Sequence, residues 1–392
     1  MVAGIVRIMR ILHTSDWHIG RTFHGHATLD ALREVLGALV AIVREREVDA
    51  VLVAGDVFDS ATPSGEAFGL LSSALRDLRE AGATVILTSG NHDSPARLGF
   101  QSEWAALAGI HIITDPDRLD APVTLADAHG EIDVFGIPYL EPVLLRHRWQ
   151  QPELRSQADM LGEAMRRIHA VRRPGVRSVV LAHTFASGGA AEASDAERDI
   201  TVGGVDVVPL SVFDGIDYTA LGHIHGRSQL APGIRYSGAP LHYSFSEAAK
   251  PRGAWLVELD AGGLGAVEWV DLPVPRPLAV LTGNLEQLLA DEAHTAVEQH
   301  WVSAVLTDAA RPLDAMRRLQ SRFPFCAHVS HHPEAVPGDG AVSYAERVER
   351  RTDEEIVAAF LEHVRAGSGL TESELEIVRD VVGGHRAKEA VR

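Results

Sequence analysis

The sequence is almost without cysteine. Cys326 is the only one in 392 residues, so no intrachain disulfide can form. That fits a reducing, cytoplasmic setting and excludes a disulfide-stapled scaffold. Long apolar runs are missing as well. Charged residues interrupt every stretch short of the ~20 residues that a membrane-spanning helix needs. Residues 1–12 are apolar but broken by Arg7 and Arg10, and no small-residue cleavage site follows, so no signal peptide is expected. Residues 1–8 read as a short extension ahead of the first strand. Positive charge is in deficit too. Against 54 Asp+Glu there are 36 Lys+Arg, a net charge of −18. Such acidity argues against a protein that coats nucleic acid by bulk charge, yet it permits a grip on phosphate at one local site. No internal repeat is present, and the nearest thing to low complexity, residues 186–193 (ASGGAAEA), predicts a flexible loop. What is there, 46% hydrophobic and 23% charged residues, belongs to an ordinary globular chain. Intrinsic disorder and collagen-like structure are thereby excluded. At about 100–200 residues per domain the length allows two or three.

The first two thirds alternate two hydrophobic periods. Residues 10–14, 50–54 and 83–88 are short apolar runs that predict strands, and residues 29–46 and 64–81 carry helical periodicity between them. A βαβαβ order implies a parallel sheet with helices on its faces. Further strands are predicted at 131–137, 176–182, 218–221, 234–237 and 253–259, with a helix near 154–171. Their close spacing predicts a second, mixed or antiparallel sheet. Residues 272–277 read LPVPRP, and three prolines there mark a domain boundary. Beyond it, strands at 278–281, 301–307 and 325–329 and a helix at 313–322 predict a small α+β domain. From Thr352 the chain turns helical and charged, is broken at 367–369, and restarts behind Thr371-Glu-Ser-Glu374, a capping-box signature.

Twenty histidines make any single one uninformative, so only clusters count. Four short signals stand where strands end: Ser15-Asp16-Trp17-His18, Gly55-Asp56-Val57-Phe58-Asp59, Gly90-Asn91-His92-Asp93 and Gly222-His223-Ile224-His225. Asp, His and Asn are the oxygen and nitrogen ligands that divalent transition metals take. Loops at strand ends of open α/β sheets converge on one crevice. The glycine opening each of the last three signals lets the chain turn sharply toward it. Each signal alone could be a solvated loop or a turn; together and in this order they point to a two-metal site. His183, at the end of the apolar run 178–182, supplies a further position.

The set D-x-H, GD-x-x-D, GNHD, a lone His and GH-x-H resembles the calcineurin-like metallophosphoesterase superfamily. Within it, the chain is similar to the bacterial SbcD family of nuclease subunits, relatives of the eukaryotic and archaeal double-strand-break repair nuclease. The closer likeness rests on the segments 12–20, 55–59, 194–199 (SDAERD) and 220–225, extended by 236–240 and 244–247. It covers about the first 275 residues; the last third matches by size and position. The resemblance implies a two-sheet α/β sandwich flanked by helices (1–275), a small α+β cap domain (276–350) and C-terminal helices that bind a partner (351–392). It makes Asp16, His18, Asp56 and His225 ligands of one ion and Asn91, His183 and His223 ligands of another, with Asp56 shared. It implies Mn²⁺ in both positions and assigns His92 to positioning the scissile phosphate and helping the leaving group depart. Asp59 and Asp93 then orient histidines. Archaeal and eukaryotic relatives carry a histidine where this chain has Asp59, so His92 is the one catalytic histidine carried over.

The function so implied is two-metal cleavage of DNA: exonuclease action on double-stranded ends and endonuclease action on hairpins and single strands, in repair, recombination and replication. The partner implied is an SbcC-type ATPase with long coiled coils, the chain being a homodimer inside a heterotetramer. Two dications outweigh the charges of Asp16 and Asp56, which explains how an acidic chain attracts a phosphodiester. Two rivals remain open, a phosphodiesterase acting on small cyclic nucleotides and a scaffold that merely tethers DNA. Weaker candidates are His24 and His26 as substrate contacts, His328, His331 and His332 as a further metal site, and Trp17 as a base-stacking residue. Arg166, Arg167, Arg172, Arg173 and Arg177 form a basic group that would either track a DNA backbone or line a charged helix face. The apolar stripe Ile356, Ala359, Phe360 and Val364 needs a surface to bury it, either the partner or the chain's own cap.

Overall fold

In the computed structural model the chain is described over residues 7–187, 207–333, 351–364 and 369–389. Residues 1–6, most of the ASGGAAEA segment, the SDAERD segment and the break at 367–368 lie outside the described residues. The chain divides into two compact units between Pro275 and Arg276, inside the proline-rich segment.

In the first unit the strand Met9–Thr14 pairs in parallel with Ala50–Ala54, which continues to Thr84–Thr88 and Ile110–Ile113. Helices fill the connections, as parallel pairing requires. The Gly253–Asp260 and Gly263–Asp271 hairpin then returns to the free edge beside Met9–Thr14, antiparallel, making a six-stranded sheet. A second six-stranded sheet holds Gly130–Ile137, Arg177–His183, Tyr218–Gly222 and Ile234–Tyr236 in parallel, with antiparallel edges Val123–Asp127 and Ser228–Ala231. The inner faces meet in one apolar layer: Ile11, Leu52 and Ile86 from the first sheet, Val134, Val179, Leu181 and Tyr218 from the second. Helices Leu29–Glu45 and Gly65–Glu80 cover the outer face of the first sheet, and Gln157–Val171 that of the second.

Local chemistry sets the helix ends. Ser64 accepts from Ala67 N at the start of Gly65–Glu80, and Ser156 with Asp159 forms a capping box ahead of Gln157–Val171. The far end of the sandwich is pinned by Arg177, whose guanidinium binds Asp127 at 2.5 Å and the Leu259 carbonyl at 3.1 Å.

In the second unit Leu278–Gly283, Trp301–Leu306 and Cys326–His331 are parallel neighbours, packed by Leu285, Leu288, Leu319 and Phe323. Asp353–Val364 and Glu372–Glu389 follow as helices. The latter is capped by Thr371 and Glu374, with Glu374 Oε2 accepting from Thr371 N at 2.8 Å. Among the described residues, no helix is long and apolar enough to cross a membrane.

Leu52 is fully buried in the layer between the sheets. Leu52→Ala is expected to destabilise the first unit by about 2–5 kcal/mol, read as a lower urea midpoint with an unchanged slope.

Candidate metal centre

The strand-end loops converge because each sheet aligns the ends of its neighbouring strands. Tyr218–Gly222 pairs with Arg177–His183 so that Gly222 lies opposite His183. In the first sheet the two leading loops continue the parallel pairing past the strands. Asp16 N donates to Gly55 O at 3.1 Å, His18 N to Asp56 O at 3.0 Å and Ile19 N to Val57 O at 2.9 Å. Four of the candidate ligands adopt positive φ: Asp16 (53°), His18 (45°), Asp56 (48°) and His223 (106°). Non-glycine residues there are strained, and such strain gathers where side chains must be aimed.

The motif glycines are needed for two different reasons. Gly55 has φ +79° and provides the sharp turn expected of it. Gly90 and Gly222 act instead by close approach. A Cβ on Gly90 would stand 2.1 Å from Asp56 Oδ1, and one on Gly222 would stand 1.8 Å from Ala54 O.

The predicted residues come together. Asp16, His18 and His225 offer ligand atoms to one point, and Asp16, Asp56 and His183 to another. Asp56 Oδ2 lies between the two sets, 3.6 Å from His18 Nε2 and 3.3 Å from His183 Nε2. Asn91 Oδ1 is 3.0 Å from His183 Nε2. The His223 ring stands 5.3 Å from that of His183, centre to centre, and its main-chain N–H donates to Asp16 Oδ1 at 3.0 Å.

The hydrogen bonds behind the histidines show what the cluster is built to hold. His183 Nδ1 donates to Ala54 O at 2.9 Å, and His225 Nδ1 to Glu247 Oε1 at 3.0 Å. His92 Nδ1 donates to Asp59 O at 2.8 Å. Those acceptors carry no hydrogen, so each Nδ1 holds a ring proton, and in the neutral ring Nε2 is left as a lone pair facing the cluster. His225 Nε2 then faces His18 Nε2 at 3.1 Å, and His183 Nε2 faces the oxygens of Asn91 and Asp56. Nitrogen and oxygen acceptors converging on one buried site favour a cation among them, whether a proton or a metal ion. The donor set of imidazole nitrogen, carboxylate and amide oxygen therefore fits a pair of divalent metal ions.

Ionisation follows from the same crowding. Burial holds His223 down to about 3 and His18 down to about 4, so both rings are neutral donors. Burial raises Asp16 to about 8, with the Asp56 charge adding to the rise. Asp56 is itself held well below the carboxylate range: burial opposes this, but the facing His183 outweighs it. His183 is correspondingly raised to about 9, the Asp56 and Asp16 charges overcoming the effect of burial.

The surroundings differ from expectation at several points. Asp93, expected to orient a histidine, accepts instead from the main-chain N–H groups of Val57 (3.0 Å), Phe58 (2.8 Å) and Gly90 (2.9 Å), so it shapes two loops at once. Asp59 stands 3.4 Å from His18 Nδ1 and 3.1 Å from Arg21 Nη1. Trp17 cannot stack on a base, since it is fully buried with its indole N–H on Thr14 Oγ1. Four of the five arginines in the basic group are paired with acids, Arg172 instead lying beside His169. Arg166 and Arg167 bind Glu163, Arg173 binds Asp133 and Glu131, and Arg177 binds Asp127. His24 is exposed, its ring against Phe23 and Phe245, and His26 is exposed beside it. His328 bonds Ser303 and His331 bonds the Asp308 carbonyl; among the described residues neither joins a metal-ligating cluster. The sequence motifs include Ser15 and Glu247 but assign no role to them, nor to Tyr243 or Arg252. Ser15 Oγ donates to Asp16 Oδ2 at 2.5 Å, and the Tyr243 ring packs on those of His18 and His225. The only signal for Glu247 was the stretch 244–247, which has no metal-ligand pattern of its own.

A pH prediction follows. The His183 proton stabilises the folded state fully below the ordinary value of 6.5, and that contribution is lost as pH rises to about 9. Asp16, raised from 3.8 to about 8, also favours the protonated folded state, so its contribution declines from about pH 4 and is gone above about pH 8. After chelation, the melting temperature should fall between pH 7 and 9, and saturating Mn²⁺ should remove most of that fall. An equal fall with and without the ion would count against the assignment of these groups to a metal centre.

Residues 9–227 match the family model described as calcineurin-like phosphoesterase. Residues 274–365 match a second model, SbcD_C, described as type 5 capsule protein repressor C-terminal domain. Similar solved structures include TT1561 of Thermus thermophilus (14% identity, TM-score 0.39), covering 68% of this chain and 99% of that one. A dimetal phosphatase from Danio rerio (12%, 0.40) covers 68% of this chain and 99% of its own length. GAP50, the anchor in the inner membrane complex of Plasmodium (11%, 0.38), covers 86% and 100%. With the two-sheet sandwich, the paired Asp/His clusters and a family match over more than half its length, the chain belongs to the calcineurin-like phosphoesterase family.

Proposed function

We propose that the chain is the nuclease subunit of a DNA-end-processing complex of the SbcCD type, working in the cytoplasm in repair, recombination and replication. The observation that carries this reading is the pairing of the buried two-centre cluster with the SbcD_C match over residues 274–365. In this reading residues 1–275 are the nuclease domain, 276–350 the cap and 351–392 the partner-binding segment. Asp16, His18 and His225 would hold one ion and Asn91, His183 and His223 the other, with Asp56 placed to serve both; Mn²⁺ is the proposed ion. Bound there, the ions lower the pKa of water and neutralise charge building on the phosphate.

The chain's own residues do the rest. His92 keeps its Nδ1 proton on the Asp59 carbonyl, which turns Nε2 inward, 3.9 Å from Asp56 Oδ2. From there a proton on Nε2 can reach a leaving oxygen, and the ring can orient the scissile phosphate. Asp59 steadies His18, and Asp93 ties the Val57–Phe58 main chain to Gly90 so that both metal-bearing loops keep their spacing. Substrates are double-stranded ends, cut exonucleolytically, and hairpins or single strands, cut endonucleolytically. The helices Asp353–Val364 and Glu372–Glu389 expose Phe360, Val364, Ile377 and Val381, an apolar surface suited to the coiled coils of an SbcC-type ATPase. Phe68, Phe100, Trp104 and Leu107, exposed on the first unit, suit a homodimer contact.

The test is cleavage of labelled duplex ends and hairpins by the chain with and without its ATPase, across Mn²⁺ and chelator. His92→Gln should lower cleavage by about 10²–10⁴-fold with both ions still bound, and Asp56→Asn should abolish it. Rapid hydrolysis of cyclic nucleotides with duplex ends left intact, even with the ATPase present, would favour the small-substrate rival. Unchanged activity in both variants would favour a tethering scaffold. Separately, the double variant Phe100→Asp/Trp104→Asp should sediment as a monomer; a mass equal to that of the unmodified chain would overturn the dimer contact.

A further inference from the structure

His225 differs from the other candidate ligands in how it is held. It lies in a loop beyond Tyr218–Gly222, outside any strand ladder, and yet it is 1% exposed. Its ring and its main chain are gripped by the two halves of one buried ion pair. Glu247 Oε1 accepts the His225 Nδ1 proton at 3.0 Å, while Oε2 accepts from Tyr243 N at 3.0 Å. Arg252 Nη2 stands 3.5 Å from Glu247 Oε2, and Arg252 Nη1 donates to the carbonyls of His225 (2.7 Å), Ala239 (3.1 Å) and Leu241 (3.3 Å). The side chains of Glu247 and Arg252 are both fully buried.

A buried ion pair is a poor source of stability, because desolvation offsets most of the attraction and apolar residues of like size would serve as well. What apolar residues could not do is choose a tautomer. We infer that Glu247 and Arg252 are positioning residues for metal ligation. They hold His225 as the Nδ1–H tautomer with Nε2 turned toward His18 and Asp16, and so set the affinity of that half of the centre. The inference rests on the metal-centre reading above. It predicts an asymmetry, since His183 takes its orienting bond from the Ala54 carbonyl, which no side-chain substitution removes.

The test is calorimetric titration of the chelated full chain with Mn²⁺, with bound metal counted by elemental analysis, for the unmodified chain, Glu247→Gln and Glu247→Asp. The unmodified chain should bind two ions. Glu247→Gln should weaken one site by about 10–100-fold and leave the other unchanged, and Glu247→Asp, which keeps the carboxylate, should recover part of the loss. A merely structural role would weaken both sites together, and that result would overturn the inference, as would two unchanged affinities. Fewer than two ions on the unmodified chain would instead overturn the metal-centre reading itself. Nitrogen-15 NMR of the histidine-labelled, metal-free unmodified chain decides the matter even if the variants do not fold. His225 protonated at Nδ1 and bare at Nε2 supports the inference; the opposite tautomer overturns it.

Discussion

The structure depends on an electrostatic cost that the fold alone cannot offset. Two carboxylates, an amide oxygen and several imidazole rings converge in a buried site, with His18–His225, His183–Asn91 and His183–Asp56 contacts of 3.1, 3.0 and 3.3 Å. Each is a lone-pair donor, and in a low-dielectric interior their mutual repulsion is large. Four left-handed residues and two glycine contacts show that the chain accepts strain as well to assemble them. Only a positive charge at the centre makes the arrangement favourable. A proton on His183 is a partial substitute, which is why that ring holds one so far above its usual range.

The sandwich brings these groups together from behind. Its apolar layer, from Ile11 and Leu52 to Leu181 and Tyr218, lies behind the loops and fixes the strand ends from which they spring. His13, three residues before Asp16, crosses that layer to bond Tyr218 Oη at 2.9 Å and the Leu221 carbonyl at 3.1 Å. The strand that carries Asp16 is thus tied to the strand that leads to His223 and His225. Burial lowers the His13 pKa to about 3, so the tie is a neutral hydrogen-bond bridge at physiological pH.

Much of this was legible in the sequence. Strands such as Ala50–Ala54 are unbroken apolar runs because both faces of a sandwiched parallel strand are buried, and they were read at their true bounds. The edge strands Val123–Asp127, Ser228–Ala231 and Gly263–Asp271 were not foreseen. Their exposed, polar-interrupted faces carry no such signal. The groups that face the cluster are legible as Asp, His and Asn at strand ends, behind a glycine in three of the four signals. Those that stand behind it are not. Asp93 stands in the GNHD signal, yet its partners are main-chain N–H groups, which any residue has, so the motif does not reveal its role. Glu247 and Arg252 act on His225 across 22 and 27 positions, through contacts no local spacing encodes.

At Gly222 the sandwich has no filling. A Cβ there would meet the Ala54 carbonyl at 1.8 Å, so backbone rests almost on backbone where the two sheets close on the catalytic end. Elsewhere the gap between sheets is set by the volume of leucines and isoleucines, and it can relax when they are trimmed. At this end it is set by main-chain atoms that have nothing to trim. The spacing at the pocket is therefore set apart from the interior that supports it: trimming an inter-sheet leucine lowers thermal robustness and leaves this closest approach in place.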